Sequence, residues 1–329
     1  MQQLPSLGFL SKDDTLCLSI TVTSRCNLRC TYCHYFAGVS TSHRNKDIAD
    51  DVFEKYLRLI GWIKKNIHSK IQVRFSGGEP LVLGDRLYKL AEKVMSSLGE
   101  NVHILTNGIL LNSEVIRLAS KCGISAFLVS IENPFDVDKG SVNPEIVLDK
   151  IIGLKSDFVA VLPAVVIVRN HAFAQLPELA DFFFSKLGQV PAMCELNFKA
   201  YISPTTVELK QLRDGVESVV TKFLGKTPLV LFPYIVPELA YCYENRYLVE
   251  FAVGAGTYNF LSQSQEQCVA ELSRYLKNAY PAGNCGKYFC PWHENCKRIK
   301  WAWSSKMTDY CAYKCAISEG YYAAIASIK

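Results

Sequence analysis

From about residue 15 to residue 200, short β-branched runs alternate with stretches of helical period at intervals of roughly 25 to 35 residues. The runs Leu16–Val22, Ile71–Phe75, Val102–Leu105, Ala126–Ile131, Val161–Val168 and Met193–Phe198 read as strands. Several are almost continuously apolar, as in a parallel sheet whose one face is covered by helices and whose other is filled by side chains. Between them, Val52, Phe53, Tyr56, Leu59, Ile60 and Ile63 recur at helical spacing. Leu87, Leu90, Ala91, Val94 and Leu98 repeat the pattern after Asp85, a candidate N-cap. Ser113–Lys121, Pro144–Leu154 and Leu176–Leu187 supply three further helices. Six such units predict an α/β fold, a partial (β/α)6 barrel, with ligands gathered at the C-terminal ends of its strands.

Beyond residue 200 the rhythm changes. Thr205 with Glu208 forms a capping box that opens a helix through about Leu224. Pro228–Gly256, rich in Pro, Tyr and Val, reads as short antiparallel strands, and a helix near Glu266–Asn278 leads into a cysteine-rich tail. The expected organisation is a barrel over residues 1–203 and a small cysteine-rich domain over residues 204–329.

Composition adds little until the cysteines are counted. The 329 residues are 49% hydrophobic and 20% charged, ordinary for a globular protein. The net charge of +5 comes from no dense basic run, which argues against a nucleic-acid partner. The longest apolar stretch, Phe158–Val168, is broken by Pro163 and falls short of the roughly 20 residues a bilayer needs. Met1–Leu10 has neither the basic start nor the apolar core of a signal peptide. No membrane is expected, and the chain is placed in the cytoplasm. In that reducing compartment, thirteen cysteines point to metal rather than to disulfides. Three lie within Cys26–Cys33 and five within Cys285–Cys315. Cys17, Cys122 and Cys194 read as small buried hydrophobes.

The first cluster is Cys26-Asn-Leu-Arg-Cys30-Thr-Tyr-Cys33-His34, directly after the first strand. Three thiolates on one loop fit three corners of a four-iron cubane and leave the fourth iron as an open Lewis-acid site. A zinc site or buried thiols are the alternatives that spacing alone leaves open. The arrangement, with an aromatic just before the last cysteine, resembles that of the radical S-adenosylmethionine (SAM) superfamily. The resemblance implies that Cys26, Cys30 and Cys33 hold a [4Fe-4S] cluster whose open iron chelates the amino and carboxylate groups of SAM, and that Tyr32 lies against the adenine. In that family an electron from the cluster cleaves SAM to a 5′-deoxyadenosyl radical that abstracts hydrogen. His34 is read as loop packing or substrate-facing.

After the second strand comes Phe75-Ser-Gly77-Gly78-Glu79-Pro80. Two glycines let the backbone approach a ligand closely, and a carboxylate accepts hydrogen bonds from an ammonium group. Alone, the segment reads equally as a tight turn; placed one strand after the cysteine loop, it resembles the family's motif for the methionine amino group. The third strand ends in Thr106-Asn107-Gly108, a left-handed turn. The fourth ends in Ser130-Ile131-Glu132-Asn133, where related enzymes carry a serine, an acidic residue (more often Asp) and a glycine. By resemblance, Ser130 and Glu132 face the ribose and methionine ends of the cofactor. Arg169 and Asn170 lie where the family contacts carboxylate or adenine, or are plain surface polar residues.

The tail reads Cys285-x4-Cys290-x5-Cys296, then Cys311-x3-Cys315, interleaved with aromatics. It resembles the auxiliary-cluster extensions called SPASM or, when shortened, twitch domains, although their close Cys-x2-Cys pair is missing. At least one auxiliary [4Fe-4S] cluster is expected, from Cys285, Cys290, Cys296 and either Cys311 or Cys315. With Cys242 and Cys268 a second is conceivable, and His293 keeps zinc open. Cys242 is a candidate hydrogen-atom donor, or a packed thiol. The auxiliary-cluster group acts chiefly on peptides, so a ribosomally made precursor peptide is the expected substrate, with a small-molecule dehydrogenase or epimerase as runner-up and a noncatalytic metal-binding protein as third reading. A flavodoxin or ferredoxin is the expected reductant. Only 25 residues precede Cys26, so a leader-recognition module is expected on a separate protein if one is used.

Overall fold

The computed structural model describes residues 16–30, 46–66, 69–135, 142–154, 156–167, 170–196, 205–227, 238–241, 247–253 and 256–262, with helical positions 316, 319, 320, 323, 324, 326 and 327 near the C-terminus. In chain order the elements are β1 (Leu16–Thr23), α1 (Asp50–Asn66), β2 (Ile71–Gly77), α2 (Asp85–Leu98), β3 (Val102–Thr106), α3 (Ser113–Lys121), β4 (Ile124–Glu132), α4 (Pro144–Ile152), β5 (Ala160–Ile167), α5 (Leu176–Leu187), β6 (Ala192–Leu196), α6 (Thr206–Phe223), β7 (Glu238–Tyr241), β8 (Tyr247–Val253) and β9 (Gly256–Ser262). The sheet order is β6-β5-β4-β3-β2-β1-β7-β8-β9. From β1 to β6 each strand pairs in parallel with the next in sequence, as a β/α barrel wall requires.

Helix ends follow local chemistry. The capping box forms in full: Glu208 N donates to Thr205 Oγ1 at 3.2 Å and Thr205 N to Glu208 Oε2 at 2.7 Å. Asn112 caps α3 through Val115 N. Asp85 is the first residue of α2 rather than its cap; Gly84 takes the cap, and Asp85 still places an acid in the positive first turn.

Strand burial alternates more cleanly than the apolar runs suggest. Leu18, Ile20, Val22, Val73, Phe75, Val102, Ile104, Phe127, Val129 and Ile131 are buried and form one core with the helices. The opposite face is polar at Ser19, Thr21, Arg74, Ser76, His103 and Ser130. That polar face is what a barrel interior built for a polar ligand needs.

Past residue 203 the sheet continues. β7 pairs in parallel with β1, and β8 and β9 then add an antiparallel hairpin. The expected antiparallel strands are thus present, but the first of the three runs parallel to β1, a long-range pairing that no local pattern reveals. Near the C-terminus, Ala316, Gly320 and Ala324 are buried. A Cβ on Gly320 would lie 2.4 Å from Arg213 O, so the tail packs against α6 through small residues. No described helix is long and apolar enough to cross a membrane.

Candidate active site

At the C-terminal end of β1 the chain turns into Ser24-Arg25-Cys26-Asn27-Leu28-Arg29-Cys30. Two backbone clamps hold the start of this loop. On the β2 side, Gly78 N donates to Thr23 O and Glu79 N to Arg25 O, both at 2.8 Å. A Cβ on Gly77 would stand 2.0 Å from Thr23 O, and one on Gly78 2.2 Å from Arg25 O, so no side chain fits at either place. Gly77 also has φ of 133°, which side-chain-bearing residues avoid. The glycines that the sequence suggests make room for a ligand also make room for the cysteine loop.

On the other side, Ser24 N donates to Lys46 O at 2.8 Å and Ile48 N to Val22 O at 2.9 Å. Arg25 grips Asp47 through Nε and Nη2 at 2.8 and 2.9 Å, and Thr23 Oγ1 donates to Asp47 Oδ1 at 2.6 Å. Arg86 adds an ion pair to Asp50 and a hydrogen bond to Ile48 O. The loop therefore leaves the sheet from a rigid base. Within it, Arg29 Nη1 donates to the carbonyls of Cys26 and Leu28 at 3.0 and 2.8 Å, and Leu28 N points at Cys26 Sγ from 3.4 Å. Cys26 and Cys30 are half-buried and in no disulfide.

Glu79 is fully buried. Its Oε1 accepts from Leu81 N at 3.0 Å and Thr106 Oγ1 at 2.8 Å, and its Oε2 accepts from Asn107 N at 2.8 Å. Burial pushes its carboxyl above the ordinary range, against the pull of these three donors. The sequence reading assigns this carboxylate to a ligand's ammonium; the structure engages it with the protein's own donors, joining the turn after β2 to the turn after β3. Asn107 continues the chain of contacts: its Nδ2 donates to Asn27 Oδ1 at 2.8 Å and lies 4.0 Å from Cys26 Sγ. The sequence reads Thr106 and Asn107 only as part of a turn, and gives no role to Arg25, Asn27 or Asp47. Nothing local links these residues.

Ser130 sits half-buried on the polar face of β4, one residue before Ile131 in the core. Glu132 and Asn133 are buried at the strand's end. Asn133 donates through Nδ2 to Gln175 Oε1 at 3.0 Å and so ties the end of β4 to the 3₁₀ turn Asn170–Gln175 that follows β5. Asn170 opens that turn. Tyr32, Cys33, His34, Arg169, Cys242, Cys268, Cys285, Cys290, His293, Cys296, Cys311 and Cys315 lie outside the described residues. Among the described residues no group of three or more His, Cys, Asp or Glu is placed to hold a metal.

Comparison with known proteins bears on this arrangement. A family model described as the radical SAM superfamily matches residues 20–175. Among curated proteins, the chain is 36% identical over 116 residues to molybdenum cofactor biosynthesis protein 1 of Dictyostelium discoideum, covering 35% of this chain and 17% of that protein. It is 35% identical over 121 residues to GTP 3′,8-cyclase of Clostridium botulinum, covering 35% of this chain and 34% of that one. The chain thus spans about a third or less of the length of these relatives. Among solved structures, native anSMEcpe with bound AdoMet matches with a TM-score of 0.66 at 15% identity, over 95% of this chain and 100% of that one. Streptococcus suis SuiB bound to S-adenosylmethionine matches with a TM-score of 0.56 at 15% identity, over 87% and 72%. Both proteins have also been solved with peptides: anSMEcpe with Cp18Cys and SuiB with its precursor peptide SuiA. At these identities the structures attest the fold. The family match over residues 20–175 falls on a parallel barrel wall whose cysteine loop is clamped by Gly77–Glu79, and over that stretch the chain is similar to the radical SAM superfamily.

Proposed function

We propose that this chain is a radical SAM enzyme that modifies a ribosomally made peptide and holds a [4Fe-4S] cluster on Cys26, Cys30 and Cys33. The observation that carries the site is the clamp by which Gly78 and Glu79 hold Thr23 and Arg25, the start of the loop that carries Cys26 and Cys30. The residues fit the group: Cys26 Sγ already faces the Leu28 N–H, the kind of donor that stabilises a sulfur ligand carrying negative charge. When bound, the cluster supplies one electron that cleaves SAM and releases the hydrogen-abstracting 5′-deoxyadenosyl radical.

The chain's own residues set where SAM binds. Because the Glu79 carboxylate is buried and engaged, the Gly77–Glu79 segment meets the methionine end through its main chain. Ser130 and Glu132 on β4, Arg169 and Asn170 after β5, and Tyr32 in the loop complete the cofactor site. The barrel, residues 1–203, is followed by an auxiliary-cluster domain over residues 204–329, with Cys285, Cys290, Cys296 and Cys311 or Cys315 as ligands and Cys242 as a hydrogen donor. A flavodoxin or ferredoxin delivers the electron.

The fold likeness to anSMEcpe solved with the Cp18Cys peptide, over 95% of this chain, supports a peptide substrate. A second reading, a small-molecule substrate, is favoured by the 35% identity to a GTP 3′,8-cyclase, which reaches only 35% of this chain. The test is anaerobic reconstitution with iron and sulfide, then SAM and dithionite, assaying 5′-deoxyadenosine against a Cys26/Cys30/Cys33→Ala control. Product from the wild type alone is expected. Iron above four per chain reports the auxiliary cluster, and zinc in its place refutes it. Mass change in a precursor peptide encoded beside the gene supports the peptide reading; consumption of GTP with the peptide untouched overturns it.

A further inference from the structure

We propose that Asn107, at the end of β3, is a positioning residue for the cluster: its amide N–H group holds the Cys26 loop through Asn27 and donates toward Cys26 Sγ, raising the cluster's reduction potential. This rests on the proposed cluster at Cys26, Cys30 and Cys33.

Three contacts fix the orientation of Asn107. Its main-chain N–H is held by Glu79 Oε2 at 2.8 Å. Its Oδ1 accepts from Ile109 N at 3.1 Å, so the carbonyl end of the amide faces its own turn. The NH2 end must then point the other way, where Asn27 Oδ1 lies at 2.8 Å and Cys26 Sγ at 4.0 Å. The assignment of amide oxygen and nitrogen is thus dictated by the partners on both sides.

Asn27 immediately follows Cys26, so the 2.8 Å bond anchors the first ligand of the loop to a different strand end. Cys26 Sγ also receives Leu28 N at 3.4 Å. Two N–H groups therefore converge on one sulfur, one local and one from β3. Donors to a ligand sulfur stabilise the more negative, reduced state and raise the potential, as outer contacts generally tune a metal site. The Glu79 carboxylate supports the arrangement from behind by holding the Asn107 main chain.

The decisive variant is Asn107→Asp, which keeps the acceptor for Ile109 N but turns the donor end into a second oxygen. In the reconstituted full-length protein, a redox titration followed by electron paramagnetic resonance reads the reduced fraction of the SAM-site cluster. At the wild-type midpoint, the ratio of reduced to oxidised cluster falls about tenfold, the equivalent of one charge-assisted hydrogen bond. Asn107→Ser, whose hydroxyl keeps the turn but is too short to reach Asn27 or Cys26, shifts the same way by less. A folded variant that no longer retains iron at this site supports the anchoring role. Wild-type iron content and wild-type potential in both variants overturn the proposal. Failure of the wild type itself to assemble a cluster overturns instead the cluster reading beneath it.

Discussion

Gly78→Ala isolates the contact between the two motifs. Gly78 is outside the positive-φ region, so adding a methyl group brings steric conflict without backbone strain. The new Cβ would meet Arg25 O at 2.2 Å, Arg25 C at 2.7 Å and Ser24 O at 3.0 Å, all main-chain atoms with no rotamer to yield. To restore a tolerable 3.0 Å, the cysteine loop must retreat by about 0.8 Å. That loosens the bonds from Gly78 N to Thr23 O and from Glu79 N to Arg25 O. Two backbone hydrogen bonds at about 1 kcal/mol each, with roughly 1 kcal/mol or more of overpacking strain, give a loss of about 3 kcal/mol. Urea unfolding of the metal-free protein, with a slope near 3 kcal/mol per molar, lowers the midpoint by about 1 M. The metal-free state is the telling one. If the glycines serve only the approach of a ligand, removing that ligand abolishes the effect of the methyl group. An unchanged midpoint in apoprotein refutes the steric argument.

Other perturbations test neighbouring contacts. Glu79→Ala leaves Leu81 N, Asn107 N and the Thr106 hydroxyl facing a buried void; relief of carboxylate desolvation offsets part of the loss, and a net cost of about 3 kcal/mol is expected as a melting temperature lower by about 6–12 °C. Asp47→Ala removes the acceptor shared by Arg25 and Thr23; because both ion-pair partners are partly exposed, about 1 kcal/mol is expected in urea unfolding. His103 on β3 is held below the ordinary imidazole range by burial first and by Arg74 second. Its neutral form is favoured in the fold, so stability present above the usual value near about 6.5 is lost as pH falls through and below it. His103→Gln should flatten that part of the stability profile, and equal slopes for the two proteins refute the assignment.

Much of this molecule is local in origin. Hydrophobic period and capping signals place six strands and six helices close to where they stand, because apolar spacing and helix caps act within a few residues. The Thr205–Glu208 box and the turn at Gly108 are legible for the same reason. So is the cysteine spacing, since three cysteines within eight residues are read without any distant partner. The tertiary structure decided the rest. It gave Gly77 and Gly78 the cysteine loop as their close neighbour, supplied Glu79 with donors from the end of β3, and set β7 beside β1. Asn133 finding Gln175, and Asn107 reaching Asn27, belong to the same class. Each joins residues far apart in the chain whose meeting depends on strand order and register. Those are properties of the assembled sheet, and a one-dimensional pattern of apolar and polar positions carries no record of which strand end lies beside which.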